Sequence, residues 1–180
     1  MTRLKLGMIG GGQGAFIGAV HRIASRIDNR YELIAGCLSS TEDKALASAK
    51  EIGIASDRSY SDFTTMAKAE ASREDGIEVV SIVTPNHMHA PPAIEFLRRE
   101  VHVICDKPMT ATLEEARKLH KTVKKSKSFF ILTHNYSGYP IVREMRRLIK
   151  EDVIGKLRIV KGKYLQGWLG KKEEDKGLKQ

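Results

Sequence analysis

Short runs of continuous apolar residues alternate along this chain with longer segments whose apolar positions recur every three or four residues. The first run, Leu4-Lys5-Leu6-Gly7-Met8-Ile9, predicts a strand. Behind it Phe16, Ile17, Val20, Ile23, Ala24 and Ile27 recur at helical spacing. Tyr31–Cys37 predicts a second strand, followed by an alanine-rich helix over 42–52 and another over 61–71. Ile77–Val83 reads as a buried strand, and the helix near 91–100 opens on Pro91-Pro92, where a missing N–H does no harm. Val101–Cys105 is a strand, and Thr112-Leu113-Glu114-Glu115 is a capping box that starts the next helix. Phe129–Thr133 is a further strand and 140–150 a helix. Strands apolar on both faces and separated by helices define an α/β fold with a doubly wound parallel sheet.

The turn between the first strand and first helix is Gly10-Gly11-Gly12-Gln13-Gly14-Ala15. A glycine-rich turn there lets backbone approach a diphosphate and aims free N–H groups and the positive end of the helix dipole at it. Gly10 and Gly12 occupy the first two positions of a dinucleotide-binding turn of Rossmann type. Ala15 takes the third, where a small residue allows helix and strand to pack closely.

Near Gly155 the pattern changes. Leu157 to Leu165 alternates apolar and charged residues, as a half-exposed strand does, and from Gly170 the chain is polar. One amphipathic strand cannot bury its own apolar face, so it reads as the first strand of an incomplete second α/β domain. The expected organisation is a dinucleotide-binding domain over 1–137, then a connecting helix and the start of a substrate domain over 138–180. Trp168 is assigned to the packing of that second domain.

Composition narrows the class. Of 180 residues, 41% are hydrophobic and 29% charged, as in soluble globular proteins. No apolar run approaches the roughly 20 residues of a membrane span. A strand beginning at Leu4 leaves no room for a signal peptide, and Cys37 and Cys105 sit in apolar runs as buried thiols, so a reducing cytoplasm is expected. The formal charge of +9 is uneven: residues 1–115 hold 13 Lys and Arg against 16 Asp and Glu, and residues 116–180 hold 18 against 6. Lys118, Lys121, Lys124, Lys125 and Lys127 lie on a predicted helix with few aromatics between them, which is a solvated face rather than a nucleic-acid surface.

Ligands of a doubly wound sheet bind at the carboxyl ends of its strands. Three ends carry unusual sequences: Thr84-Pro85-Asn86-His87-Met88-His89, Asp106-Lys107-Pro108, and His134-Asn135-Tyr136 with Pro140 beyond. With the glycine turn they resemble the Gfo/Idh/MocA oxidoreductases. The likeness rests on that turn, on Thr-Pro-Asn-x-x-His at 84–89, on Asp106-Lys107-Pro108 as counterpart of Glu-Lys-Pro, and on Asn135 five residues before Pro140. It runs through Gly155-Lys156-Leu157-Arg158.

The resemblance implies hydride transfer between NAD or NADP and a sugar, inositol or related polyol. Backbone amides from Gly12 to Ile17, with Gln13, Ala15 and Phe16 among them, would hold the diphosphate. Thr84, Pro85, Asn86 and His89 would border the ribose and nicotinamide, and Asn135 the nicotinamide half. Lys107 would be the catalytic residue at the reacting centre, aimed by Pro108 and flanked by Asp106. Physically, a partly desolvated lysine at a strand end can take a hydroxyl proton or stabilise an alkoxide. A surface lysine paired with Asp106 is the plain alternative. For His89 a capping role stands beside cofactor contact, and for His134 a satisfied strand end stands beside substrate contact. His87 and His89 lack a further metal-ligand set, so no metal is expected. His21, His102 and His120 carry no distinct signal.

The end of the second strand bears on the cofactor. Leu38-Ser39-Ser40-Thr41 stands where NAD sites place an acid. The hydroxyls of Ser39 and Ser40 with Lys44 suit a 2′-phosphate and tilt the reading to NADP, whereas Glu42 and Asp43 suit a ribose diol. Tyr136-Ser137-Gly138 follow Asn135 where the family commonly has an arginine. The resemblance further implies that a second domain supplies an Asp and a His, which this chain does not contain, and that the full-length parent is a homo-oligomer. The isolated chain is then expected to be poorly active. The alternative is a non-catalytic dinucleotide-binding module that regulates or binds a partner.

Overall fold

A computed structural model describes residues 2–165 and residue 167. Contacts divide the chain into two compact units, Met1–Thr133 and His134–Gln180.

In the first unit the elements alternate: β1 (Leu4–Gly10), α1 (Phe16–Arg26), β2 (Tyr31–Cys37), α2 (Glu42–Ile52), α3 (Phe63–Ala71), β3 (Val79–Val83), α4 (Ala90–Leu97), β4 (His102–Cys105), α5 (Leu113–Lys125) and β5 (Phe130–Leu132). All strand pairs are parallel, in the order β2-β1-β3-β4-β5. The chain moves outward from β1 to β2, then crosses back to lay β3 on β1's other side. The topological switch therefore falls between β1 and β3, whose register runs from Leu6–Val79 to Gly10–Val83.

Alternate residues of the strands feed two apolar layers. Ile9, Cys37, Val80, Ile82 and Val103 pack with Met66 of α3, Phe96 of α4 and Leu119 of α5. On the other face Met8 and Val83 pack with Ile17 of α1 and Ala49 of α2. This is the doubly wound α/β sheet that the apolar runs predict.

The element ends are set by particular hydrogen bonds. Asp62 caps α3, accepting the Thr65 N–H at 2.6 Å, so the helix begins at Phe63 rather than 61. The Ile77 N–H goes to Glu70 Oε2 at 3.3 Å, and β3 begins only at Val79. α4 stops at Leu97 because Glu100 turns to φ 60° and the Val101 N–H returns to Phe96 O. The capping box at α5 forms as expected, Thr112 accepting from the Glu115 N–H while Glu115 accepts from the Thr112 N–H. Under β2 the Arg58 guanidinium is paired with Glu70, which is 1% exposed and also accepts from Tyr60.

The second unit holds a 3-10 turn, Asn135–Gly138, and α6 (Pro140–Lys150), none of whose residues is buried. Tyr136 stacks edge-on against Tyr139 and shares a hydroxyl–hydroxyl hydrogen bond of 2.8 Å with Tyr164. The strand expected over 157–165 does not form; these residues are exposed and carry no regular structure. A strand exists only through a ladder to a neighbour, and among the described residues none is offered to this segment. Trp168, and the polar stretch from Gly170, lie outside the described residues.

Candidate functional site

The carboxyl ends of β1 and β3 meet at the switch point. Gly10 and Gly11 have φ of 78° and 74°, values that favour glycine. A Cβ on Gly10 would lie 3.0 Å from Thr84 Cγ2, so the two turns touch there. A Cβ on Gly12 would lie 2.6 Å from Leu38 O and 2.7 Å from Ser48 Oγ, so only a bare backbone fits between β1 and the end of β2.

Close packing of helix on turn falls at Gly18 rather than at Ala15. A Cβ on Gly11 would come within 2.8 Å of Gly18 Cα, and Gly18 is buried. Ala15 is the residue before α1, half-buried, with its N–H donated to Gly12 O at 3.0 Å. Gln13 is also engaged: its N–H donates to Ser48 Oγ at 3.1 Å and its side-chain amide to Glu51 at 2.9 Å. The expected run of amides from Gly12 to Ile17 thus narrows. Phe16 and Ile17 open α1, and the first N–H groups of a helix have no helical acceptor. Arg22 donates to Gly11 O at 2.8 Å and pins the turn from the helix side.

A cavity of about 310 Å³ borders this turn, lined by Gly12, Gln13, Arg22, Leu38, Ser48 and Glu51 among others. A larger one of about 580 Å³ lies beside Arg98, Lys121 and Lys125, at the ends of α4 and α5 where the strands begin. That is the wrong edge of a parallel sheet for the ligand crevice.

At the end of β2, Ser39 Oγ accepts the Thr41 N–H at 3.3 Å and so belongs to the turn into α2. Ser40, Glu42, Asp43 and Lys44 are exposed there. After β3, Thr84 Oγ1 donates to Met88 O at 2.8 Å, closing a turn that presents Pro85 and Asn86 to solvent. His89 is 1% exposed, and its ring nitrogens face Pro108 O at 2.6 Å and Thr84 O at 2.9 Å. The expected contact of its side chain with a cofactor is therefore replaced by an internal bridge between two turns.

After β4, Asp106 turns inward. It accepts from Thr133 Oγ1 at 2.8 Å and lies 3.8 Å from His21 Nε2. His21 in turn meets Ser81 Oγ at 2.8 Å. Burial lowers the affinity of His21 for a proton, and Asp106 opposes the shift. Lys107 is exposed rather than partly desolvated, and Asp106 is directed to Thr133 and His21 instead of to it. The Lys107–Pro108 peptide is cis. Asn135 opens the turn of the second unit and is exposed, as is His134. Among the described residues no three His, Cys, Asp or Glu side chains gather as a metal would require.

Sequence reasoning missed Gly18, His21 and Arg22. Gly18 had a detectable signal, a lone glycine inside an amphipathic helix, which often marks a close backbone approach. His21 finds its partners far away in the sequence, Arg22 reaches back to the preceding turn, and neither left a pattern that spacing reveals.

A parallel sheet with its switch point at a glycine turn defines an α/β domain of the dinucleotide-binding class. The chain belongs to the Gfo/Idh/MocA oxidoreductases: the family described as "Oxidoreductase family, NAD-binding Rossmann fold" matches residues 4–145. It is 32% identical to levoglucosan dehydrogenase of Pseudarthrobacter phenanthrenivorans over 93% of this chain and 42% of the relative. The crystal structure of an oxidoreductase from Sinorhizobium meliloti is similar at 56% identity, with a TM-score of 0.82 over 86% of this chain and 43% of that one. An inositol dehydrogenase homologue from Azotobacter vinelandii, complexed with NADH and myo-inositol, is 31% identical with a TM-score of 0.83, covering 87% of this chain and 41% of the other. The chain thus spans less than half the length of these relatives. Among the described residues no helix is long and apolar enough to cross a membrane.

Proposed function

We propose that this chain forms the dinucleotide site of a dehydrogenase acting on a sugar, inositol or related polyol. The observation that carries the reading is the contact of Gly10 with Thr84 at the switch point, beneath the open amides of α1. Gly10, Gly12 and the first-turn amides of Phe16 and Ile17 leave a bare, electropositive cradle that fits a diphosphate. Ser40 sits where the adenosine ribose would be read, while Pro85 and Asn86 border the other half. When bound, the nicotinamide accepts or donates the hydride. Lys107, held by the turn after β4, has the reach and charge to hold a substrate hydroxyl or steady its alkoxide. Levoglucosan and myo-inositol, named with the relatives, support that substrate class. Domain boundaries near 137 and a homo-oligomeric whole enzyme belong to the same reading.

Between the two dinucleotides we favour NADP: the end of β2 carries hydroxyls and Lys44 instead of an acid, although Glu42 and Asp43 lie close by. The test is calorimetric titration of the chain with NADH and NADPH. Binding of either tighter than about 1 mM, about 4 kcal/mol, is expected, with NADPH the stronger. Absence of both at that concentration removes the proposal; a stronger NADH overturns the cofactor preference alone.

A further inference from the structure

We propose that His89 is a positioning residue: its ring, set between two backbone carbonyls, locks the turn after β3 to the turn that carries Lys107. This rests on the reading that a nicotinamide dinucleotide lies along those turns. Its two ring nitrogens face the carbonyl oxygens of Pro108 at 2.6 Å and Thr84 at 2.9 Å, so one side chain spans both segments. The ring is 1% exposed, so no water substitutes for either partner.

The two carbonyls belong to different segments. Thr84 O precedes Pro85 and Asn86, and Pro108 O follows Lys107 directly. Thr84 is also tied to Met88 O, and Asp106 to Thr133. The Asp106–Pro108 turn is thus fastened at its start by Thr133 and at its end by His89, leaving Lys107 as the free side chain of a fixed loop. Because the same ring holds Thr84, the wall beside the nicotinamide and the lysine move together or not at all. The glycine cradle is gripped from the helix side by Gly18 and Arg22, neither of which bonds to His89.

That separation provides the test. Amide hydrogen exchange across residues 106–109 is compared between the wild-type chain and two variants, and calorimetry compares NADH with ADP-ribose, which lacks the nicotinamide. If NADPH proves the stronger ligand, the 2′-phosphorylated pair is used. His89→Asn and His89→Phe, neither of which spans both carbonyls, should each speed exchange in that turn and weaken NADH about tenfold while leaving ADP-ribose within about twofold. Exchange unchanged in both variants overturns the proposal, as does NADH affinity unchanged in both or equal loss of both ligands. A wild-type chain that binds neither ligand overturns instead the cofactor reading beneath it, and the exchange result needs no ligand.

Discussion

Helices α5 and α6 are built from similar sequence, each amphipathic with basic residues in its last turn, yet they end in opposite circumstances. α5 buries Leu119 fully against the sheet and leans Val123 on the same core. α6, in the second unit, leaves Ile141 and Met145 exposed by 66% and 54%. The apolar stripe of a helix states what the helix needs, not what it has found. In the first unit the need is met by a sheet whose strands are buried on both faces. In the second, no residue of α6 is buried.

Ion pairs divide the same way, and the sharpest test lies there. Glu70→Ala takes the buried carboxylate from Arg58 and leaves it only the exposed one of Asp75, and we expect a loss of about 3 kcal/mol in urea unfolding. Arg147→Ala in α6 removes exposed pairs with Glu144 and Glu151 and should leave the transition where it was. Equal effects would break the comparison. Next in size, Leu119→Ala should cost about 2–5 kcal/mol by opening a cavity under α5. Met145→Ala at the matching apolar stripe of α6 should change unfolding by less than about 0.5 kcal/mol. If Met145→Ala proves the more damaging, α6 is covered in solution.

The smallest effect sharpens the picture of the first unit. Burial first, and then Asp62 for Cys37 and Asp106 for Cys105, pushes both thiols up from 9.0 to about 12. The folded state thus disfavours the thiolates. Their contribution to stability is full below about pH 9, the unfolded value, and falls as pH rises from there toward about 12. Iodoacetamide at mildly alkaline pH should therefore label neither cysteine until urea unfolds the unit, after which both react. Labelling of the folded chain would show that one of the strands opens.

Much of this architecture was legible because it is local. Tyr31–Cys37 and Glu42–Ile52 fall where the apolar pattern predicts them, and the capping box of Thr112 and Glu115 forms as written. What could not be read was settled by distant partners. Ile77 is withheld from β3 by Glu70, and His21 answers to Ser81 and Asp106, 60 and 85 residues on. The strand expected over 157–165 shows the converse: alternation alone builds nothing when the ladder has no second rail. In the site, the strand ends announced themselves through Gly10, Thr84 and Lys107. That His89 turns inward follows only from the approach of two turns separated by twenty-odd residues, a matter of topology rather than of motif.

The bare contact between Gly11 and Gly18 also has an electrostatic meaning. Two backbones that meet without side chains bring the first turn of α1 as near to the loop as atoms allow. The partial positive charge of a helix end acts over little more than one turn. A single methyl group between these residues would therefore do more than strain the packing: it would push the strongest local source of positive potential away from whatever anion the loop receives.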